Sequence, residues 1–346
     1  MRQDDRAPFD RALHRARVSA YAPGEFVGQE SFMTAGEIRA LAVQAGIGPG
    51  VTVLDLCCGV AGPGRFLTRE LGCAYLGVDA SASAVAIARE RAGDLPCRFA
   101  VAQIPPLPAG SFDVVLLLET MLAFEDKDAL VREITATLRP GGRFAFTLEE
   151  GPPLTAAERA AMPDSGTVWL TSLDEMATSL ERAGLVVTWQ EDHSRAHRAM
   201  AQALAGAFAA DAEDIAAQIG RRALDELLAA HRLWIEWLDE GRVRKFALVA
   251  ERPGSSEPAD EWVLEGVVEA RRRFMACKGP TKPRDGIANA WRPMRPRRDL
   301  CRRAQELTGE RCRASSSSPG VRLWASPRPH ITTPRRSWRA WSVAAR

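Results

Sequence analysis

Nowhere does this 346-residue chain run to about eighteen consecutive apolar residues, so no part of it is expected to cross a membrane as a helix. The opening segment, MRQDDRAPFDRALHRARVSA, mixes acids and bases without an apolar centre, which argues against a secretory leader. The seven cysteines are odd in number and no two stand at C-x-x-C spacing, so neither a zinc site nor a redox pair is expected, and no metal is assigned. Free thiols without an export signal suit a reducing, cytoplasmic setting. Also absent is a G-x-G-x-x-G run after the first strand-like segment, the fingerprint of a nicotinamide dinucleotide fold. With 46% hydrophobic and 26% charged residues, the chain can bury a core as an ordinary globular protein does. Its length fits one large domain with an appendage, or two domains.

The net charge of +2 conceals an uneven distribution. Residues 271–346 hold 20 Lys and Arg against 4 Asp and Glu, whereas the residues before them hold 26 against 40. An acidic body carries a basic tail, and the two are judged separately. PGSSEPADE, from Pro253, reads as a linker, and residues 261–274 could form one more helix. From Met275 the periodicity is gone, and Arg, Pro and Ser with scattered Trp cannot bury enough surface to order themselves. Three readings of this tail stay open: phosphate binding with Trp291, Trp324, Trp338 and Trp341 stacking on bases, a disordered interaction segment, or a non-native extension from a shifted reading frame. The near-absence of lysine favours the last, so nucleic acid is not the expected partner.

Within the acidic body, apolar runs alternate with helical periodicity. VTVLDLC (51–57), AYLGVD (74–79), CRFAVA (97–102), FDVVLLLE (112–119), RFAFTLEE (143–150), LVVTWQED (185–192) and RVRKFALVAER (242–252) read as strands. Helices are expected over 64–71, 81–93, 126–142 and 173–184, with 196–240 mostly helical. Apolar strands alternating with helices imply parallel strands covered on both faces, an α/β doubly wound sheet.

In such a sheet, ligands collect beyond the carboxyl ends of the strands, where the strand order reverses. Asp55, Asp79 and Glu119 fall at such ends. The small residues of CCGVAGPG, after Asp55, let the backbone approach a ligand and expose amides at the next helix start. Asp79 lies 24 residues beyond Asp55, one strand–helix–strand unit later, where an acid can bind ribose hydroxyls. An acid before the glycine loop suits a cofactor with a positively charged amino acid end.

Four segments in order, VLDLCCGVAG, LGVDAS, SFDVVLLLETMLAF and LRPGGRFAFT, resemble the motifs of the class I S-adenosylmethionine-dependent methyltransferases, over roughly residues 20–253. The resemblance implies a Rossmann-like, mostly parallel sheet and S-adenosyl-L-methionine as cofactor. It places Asp55, Cys57, Gly59, Ala61 and Gly62 around the methionine part, Asp79 on the ribose, and Ala80 and Ser81 beside the adenine. Ala102 and Gln103 would flank the adenine's other edge, with Glu119 also near the cofactor. Cys57 and Ala61 stand where glycines are commoner, and Gln103 where an acid often follows the third strand. The fourth strand ends without an N-P-P-Y-like motif and without a Pro-Cys nucleophile, so the implied acceptor is a small molecule rather than DNA.

By the same resemblance, residues 1–33 form an N-terminal lid segment, 34–254 the catalytic domain with 196–240 as a helical lid insertion, and 255–346 the linker and tail. The implied reaction is methyl transfer to an N, O or C atom, which needs alignment, exclusion of water and removal of a proton. Glu119, Glu149 and Glu150 at strand ends would suit an amine; an exposed acidic cluster would look the same. His193 and His197, just past a strand end, include a candidate base in His193, beside the alternative of surface histidines. Tyr21, one of only two tyrosines, is a candidate acceptor contact or a packing residue. His231 reads as packed against a partner helix. A nicotinamide-dependent oxidoreductase and a nucleic-acid-binding protein are the alternatives to an enzyme of this kind.

Overall fold

The computed structural model describes residues 9–163 and 165–254. The expected helix over 261–274 and the tail with its four tryptophans lie outside the described residues. Seven strands form one sheet: β1 (Thr52–Leu56), β2 (Ala74–Asp79), β3 (Cys97–Val101), β4 (Phe112–Leu117), β5 (Leu138–Glu150), β6 (Val186–Asp192) and β7 (Arg244–Glu251). Their order is β3-β2-β1-β4-β5-β7-β6. The strands from β3 across to β5 pair in parallel, and β7 is antiparallel to both β5 and β6. The chain winds outward from β1 to β3 and then restarts at β4 on the other side of β1. That reversal opens a crevice at the carboxyl ends of β1 and β4.

The helices are α1 (Phe9–Ala20), α2 (Ala35–Gln44), α3 (Gly62–Leu71), α4 (Ala82–Ala92), α5 (Lys127–Thr137), α6 (Ala156–Ala161), α7 (Leu173–Arg182), α8 (Ser194–Ala210), α9 (Ala212–Ile219) and α10 (Arg221–Asp239). Alternating strand residues feed opposite faces. Leu54, Leu56, Val115 and Phe146 pack with Leu130 and Ile134 of α5 and Met176 and Leu180 of α7. Val53, Val114, Leu116 and Ala145 meet Ile38 and Leu41 of α2 and Phe66 and Leu67 of α3. A third core lies off the sheet: Leu13, Tyr21 and Phe32 of the N-terminal segment pack with Leu204, Phe208, Leu224 and Trp234 of the insertion between β6 and β7. The two regions assigned to a lid are thus held by one hydrophobic cluster.

The strands and α4, capped by Ser81 and ended at Gly93, follow the sequence pattern. The helix expected over 126–142 stops at Thr137, because Leu138 already pairs with Phe112 and is buried in the sheet core. Pro140, Gly141 and Gly142 then belong to β5, beside a register shift between Phe112 and Val114. The fourth strand ends at Leu117 rather than Glu119, which adopts a left-handed turn with φ 56°. Neither α1 nor α6 was anticipated; α1 is so rich in charge that its buried side, Ala12, Leu13 and Ala16, is a narrow stripe.

Candidate functional site

Between β1 and α3 the backbone turns left-handed three times, at Cys57 (φ 57°), Gly59 (φ 53°) and Ala61 (φ 56°). A left-handed turn costs about 1–2 kcal/mol at a residue with a Cβ, so Cys57 and Ala61 carry strain at the two places where glycine is commoner. The space an added Cβ would enter at Gly59 is open, leaving bare backbone on that side. Ala61 gives α3 no side-chain cap, so the helix start offers its amides to a ligand. Gly62 is needed for a different reason: a Cβ there would lie 2.3 Å from the Gly28 carbonyl oxygen. The segment before α2 therefore presses directly on the glycine loop.

Asp79, at the end of β2, braces the loop. Its Oδ2 accepts from the Gly59 amide at 2.9 Å and its Oδ1 from the Ser81 amide at 2.8 Å. Ala102 N–H bonds to the Asp79 carbonyl at 3.0 Å, while Ala80 and Gln103 are exposed beside it. Asp55 is placed deeper than its assigned role suggests, being 3% exposed, with Oδ2 accepting from the Tyr75 hydroxyl at 2.5 Å. Gly64 makes room for that tyrosine, since a Cβ would fall 2.1 Å from its ring. Burial pushes the Asp55 carboxyl up to about 7, with Tyr75 pulling it down and Asp79 adding to the rise. Burial and Asp79 likewise push the Cys57 thiol up to about 12 and raise that of Cys58. Both thiols are protonated and free, as four of the described cysteines are. The loop, the uncapped helix start and Asp79 together are chemically suited to an adenosyl amino acid.

Beyond β4, β5 and β7 lies a buried polar network. Lys245 stands opposite Glu149 across the β5–β7 ladder, and its Nζ donates to Glu149 Oε1 at 2.9 Å and to Glu119 Oε2 at 2.6 Å. Burial opposes the charge on Lys245, but Glu119 and Glu149 more than offset it and raise its pKa. Burial likewise works against ionised Glu119, yet Lys245 and His197 hold its carboxyl below the usual range. Phe32 covers the network, with Lys245 Nζ 4.9 Å from its ring centroid and its own amide donating to Glu119. Glu150 instead pairs with Arg244 at the surface.

On the far side of Phe32 is a cavity with about 1000 Å³ of empty space, part of it open to solvent. Leu13, Phe208, Leu227 and Trp234 line it, with Tyr21, Gln29 and Glu30 among its polar neighbours. Of the four side chains assigned to catalysis, Tyr21 alone is on this lining; Glu119, Glu149 and His193 sit in or beside the polar network. Their burial is the physical reason they depart from the expected open strand ends. Tyr21 donates its hydroxyl to the Ser31 carbonyl at 2.5 Å, and burial raises its pKa, so it is a wall and donor rather than a base. His231 packs edge-on against Phe32 and Phe208, as its stripe predicts, and burial lowers its pKa to about 4.

Sequence reasoning missed Lys245, Tyr75, Phe32 and Glu37. A lysine opening a run of six buried residues in β7 was a usable signal, since a buried ammonium needs an acid. Tyr75, mid-strand between apolar neighbours, equally needed a partner for its hydroxyl. The local pattern marks Glu37 only as the partner of Thr34 in a helix cap, and Phe32 not at all.

Among known proteins, residues 54–146 match the methyltransferase domain family. The chain is 30% identical over 175 residues to the methyltransferase GfsG of Streptomyces halstedii, covering 47% of this chain and 62% of that one. It is 35% identical over 157 residues to the 27-O-demethylrifamycin SV methyltransferase of Amycolatopsis mediterranei strain S699, covering 42% and 58%. The chain therefore spans less than two thirds of either relative. The crystal structure of the [4+2]-cyclase SpnF superposes with a TM-score of 0.56 at 23% identity, over 72% of this chain and 94% of that one, and shares the fold. The left-handed glycine loop and the acid ending β2 both lie within residues 54–146, the part of the chain that matches the methyltransferase domain family.

Proposed function

We propose that this protein transfers a methyl group from S-adenosyl-L-methionine to an N, O or C atom of a small molecule. The observation that carries the proposal is the braced glycine loop at the sheet's switch point, pressed at Gly62 by Gly28, which directly precedes Gln29 of the cavity lining. Bound, the cofactor supplies a methyl group activated by a sulfonium for in-line displacement. Asp79 would hold the ribose hydroxyls, with Ala80, Ser81, Ala102 and Gln103 around the adenine. The backbone of residues 57–62 would hold the methionine part, and Asp55 acts mainly by fixing that loop through Tyr75.

The chain's own contribution to the acceptor is enclosure. We read residues 1–33 and 196–240 as two halves of one lid, because their described parts share a hydrophobic core. The walls favour an apolar body on the acceptor, in keeping with a relative that acts on 27-O-demethylrifamycin SV. An amine remains within the proposal, since Glu119 and Glu149 together outnumber Lys245 in charge. No helix among the described residues is long and apolar enough to cross a membrane, and the free cysteines suit a cytoplasmic setting.

The fold alone does not fix the chemistry, as a cyclase on the same fold shows. Calorimetric titration of the full chain with S-adenosylmethionine, and separately with NADH, tests the cofactor. Binding of the first alone, weakened at least about tenfold by Asp79→Ala through loss of about 1.4 kcal/mol, is the expected result. A folded protein that binds only NADH, or neither, would refute the assignment.

A further inference from the structure

We propose that Glu37, His193 and His197 form a binding site for one divalent transition-metal ion, with zinc as the test ion. The inference is independent of the reaction proposed above. His193 and His197 stand one turn apart where α8 begins, a spacing that brings two imidazoles to one helix face. Glu37 faces them from the first turn of α2. Its Oε1 lies 3.7 Å from His193 Nδ1 and its Oε2 lies 3.5 Å from His197 Nε2. One atom from each residue can be chosen so that all lie within 4.8 Å of one another. Around zinc, ligand distances of about 2.0–2.2 Å imply ligand–ligand edges of roughly 3.4 Å. Small side-chain rotations would close the set.

The remaining nitrogens face the groups that metal-bound histidines use. His193 Nε2 is 3.5 Å from Glu191 Oε2, and His197 Nδ1 is 3.6 Å from Glu119 Oε1. Each ring thus has a carboxylate on one side and Glu37 on the other, the arrangement in which an outer carboxylate fixes the tautomer and leaves the inner nitrogen free to ligate. These contacts are too long for good hydrogen bonds. His193 Nδ1, both nitrogens of His197 and Glu119 Oε1 are buried without a hydrogen-bond partner, although His193 is 6% and His197 1% exposed.

Charge points the same way. Apart from the solvent-exposed Glu191, Glu37, Glu119 and Glu149 bring three carboxylates to this network and Lys245 a single ammonium, so one divalent ion with neutral imidazole ligands would balance the enclosed groups. Glu37 can serve while keeping its capping role, in which Oε2 accepts from the Thr34 amide at 2.8 Å. The ion would join α2 to the start of α8, fastening the helical insertion to the sheet. The competing arrangement is a proton in place of the ion, with His197 an imidazolium between Glu37 and Glu119.

The test uses the full chain, stripped with a chelator, incubated with zinc and dialysed, with bound metal measured by elemental analysis. About one zinc per chain is expected, with a higher melting temperature than the stripped protein. Glu37→Gln and His193→Gln should each weaken zinc binding at least about 100-fold and abolish the thermal shift, while Glu191→Gln should weaken it about tenfold. Circular dichroism of each stripped variant separates loss of the site from loss of the fold, and Glu37→Gln keeps the acceptor for Thr34. Because thiolates as a class are metal ligands, cobalt is the second probe, and its spectrum should show nitrogen and oxygen ligation without thiolate charge-transfer bands. Zinc retention unchanged by the variants, a thiolate cobalt spectrum, or an imidazolium His197 in nuclear magnetic resonance with no thermal shift on adding zinc would each overturn the proposal.

Discussion

Asp55 and Gly62, seven positions apart on either side of the loop, do opposite things to stability. The Asp55 carboxyl is raised from an ordinary acid value to about 7, chiefly by burial, so the folded state prefers it protonated. The stability it contributes is complete below about pH 4 and is lost as the pH rises through about 7. Asp55→Asn, which keeps an acceptor for the Tyr75 hydroxyl, should therefore gain on the parent by a few kcal/mol between pH 4 and 7 and hold that advantage above it. Chemical denaturation of both proteins across this range checks the slope. Gly62→Ala would place a methyl group on the Gly28 carbonyl, and relief requires moving the segment before α2. Overpacking of this kind costs about 1–3 kcal/mol. Its melting temperature should fall with S-adenosylmethionine affinity, measured by differential scanning fluorimetry with and without the cofactor. The acid–glycine loop was legible because its residue types have few other uses at a strand end. The tie from Asp55 to Tyr75 was not, because it depends on register between two strands rather than on spacing within one.

At the scale of elements, β7 does more than complete the sheet. It brings Lys245 opposite Glu149 and beneath Phe32, at the edge where Glu119 arrives from β4. Lys245→Met would leave two carboxylates buried without their cation, a change that costs about 3–5 kcal/mol where one partner of a buried pair is removed. Pairing it with Glu149→Gln should recover a large part of that loss, and equilibrium unfolding of the single and double variants measures the coupling. The alternation of strands and helices made these elements readable. Their ends were less so: Leu138 begins a strand because Phe112 waits for it in the sheet, whereas helical periodicity alone carried it into α5. The same limit hid Glu37 from His193 and His197, which are distant in sequence and meet only when α2 and α8 pack.

For the whole molecule, all three hydrophobic cores described above lie within residues 9–254. A chain ending at residue 254 should therefore keep its melting temperature within about 2 °C, by the usual scaling of small stability changes, and bind S-adenosylmethionine as the full chain does. Retention on immobilised RNA at increasing salt would show whether the basic segment adds a separate, screened attraction. The acidic body and basic tail were visible as a shift in composition, which needs no fold to be seen. The shared core of the N-terminal segment and the insertion was not, since it joins the two extremes of the described chain.

That insertion leaves the sheet at Asp192 and returns at Arg244, and β6 and β7, the strands that bracket it, are themselves paired neighbours. Its entry and exit are consequently clamped side by side, at the same end of the sheet as Asp55 and Asp79 but across β4 and β5 from them. A descendant could exchange the helices between those clamps for others of different length and lining without renegotiating the parallel half of the sheet. Diversity among such chains would then accumulate between β6 and β7, with the N-terminal helix changing in step as the surface that has to match it.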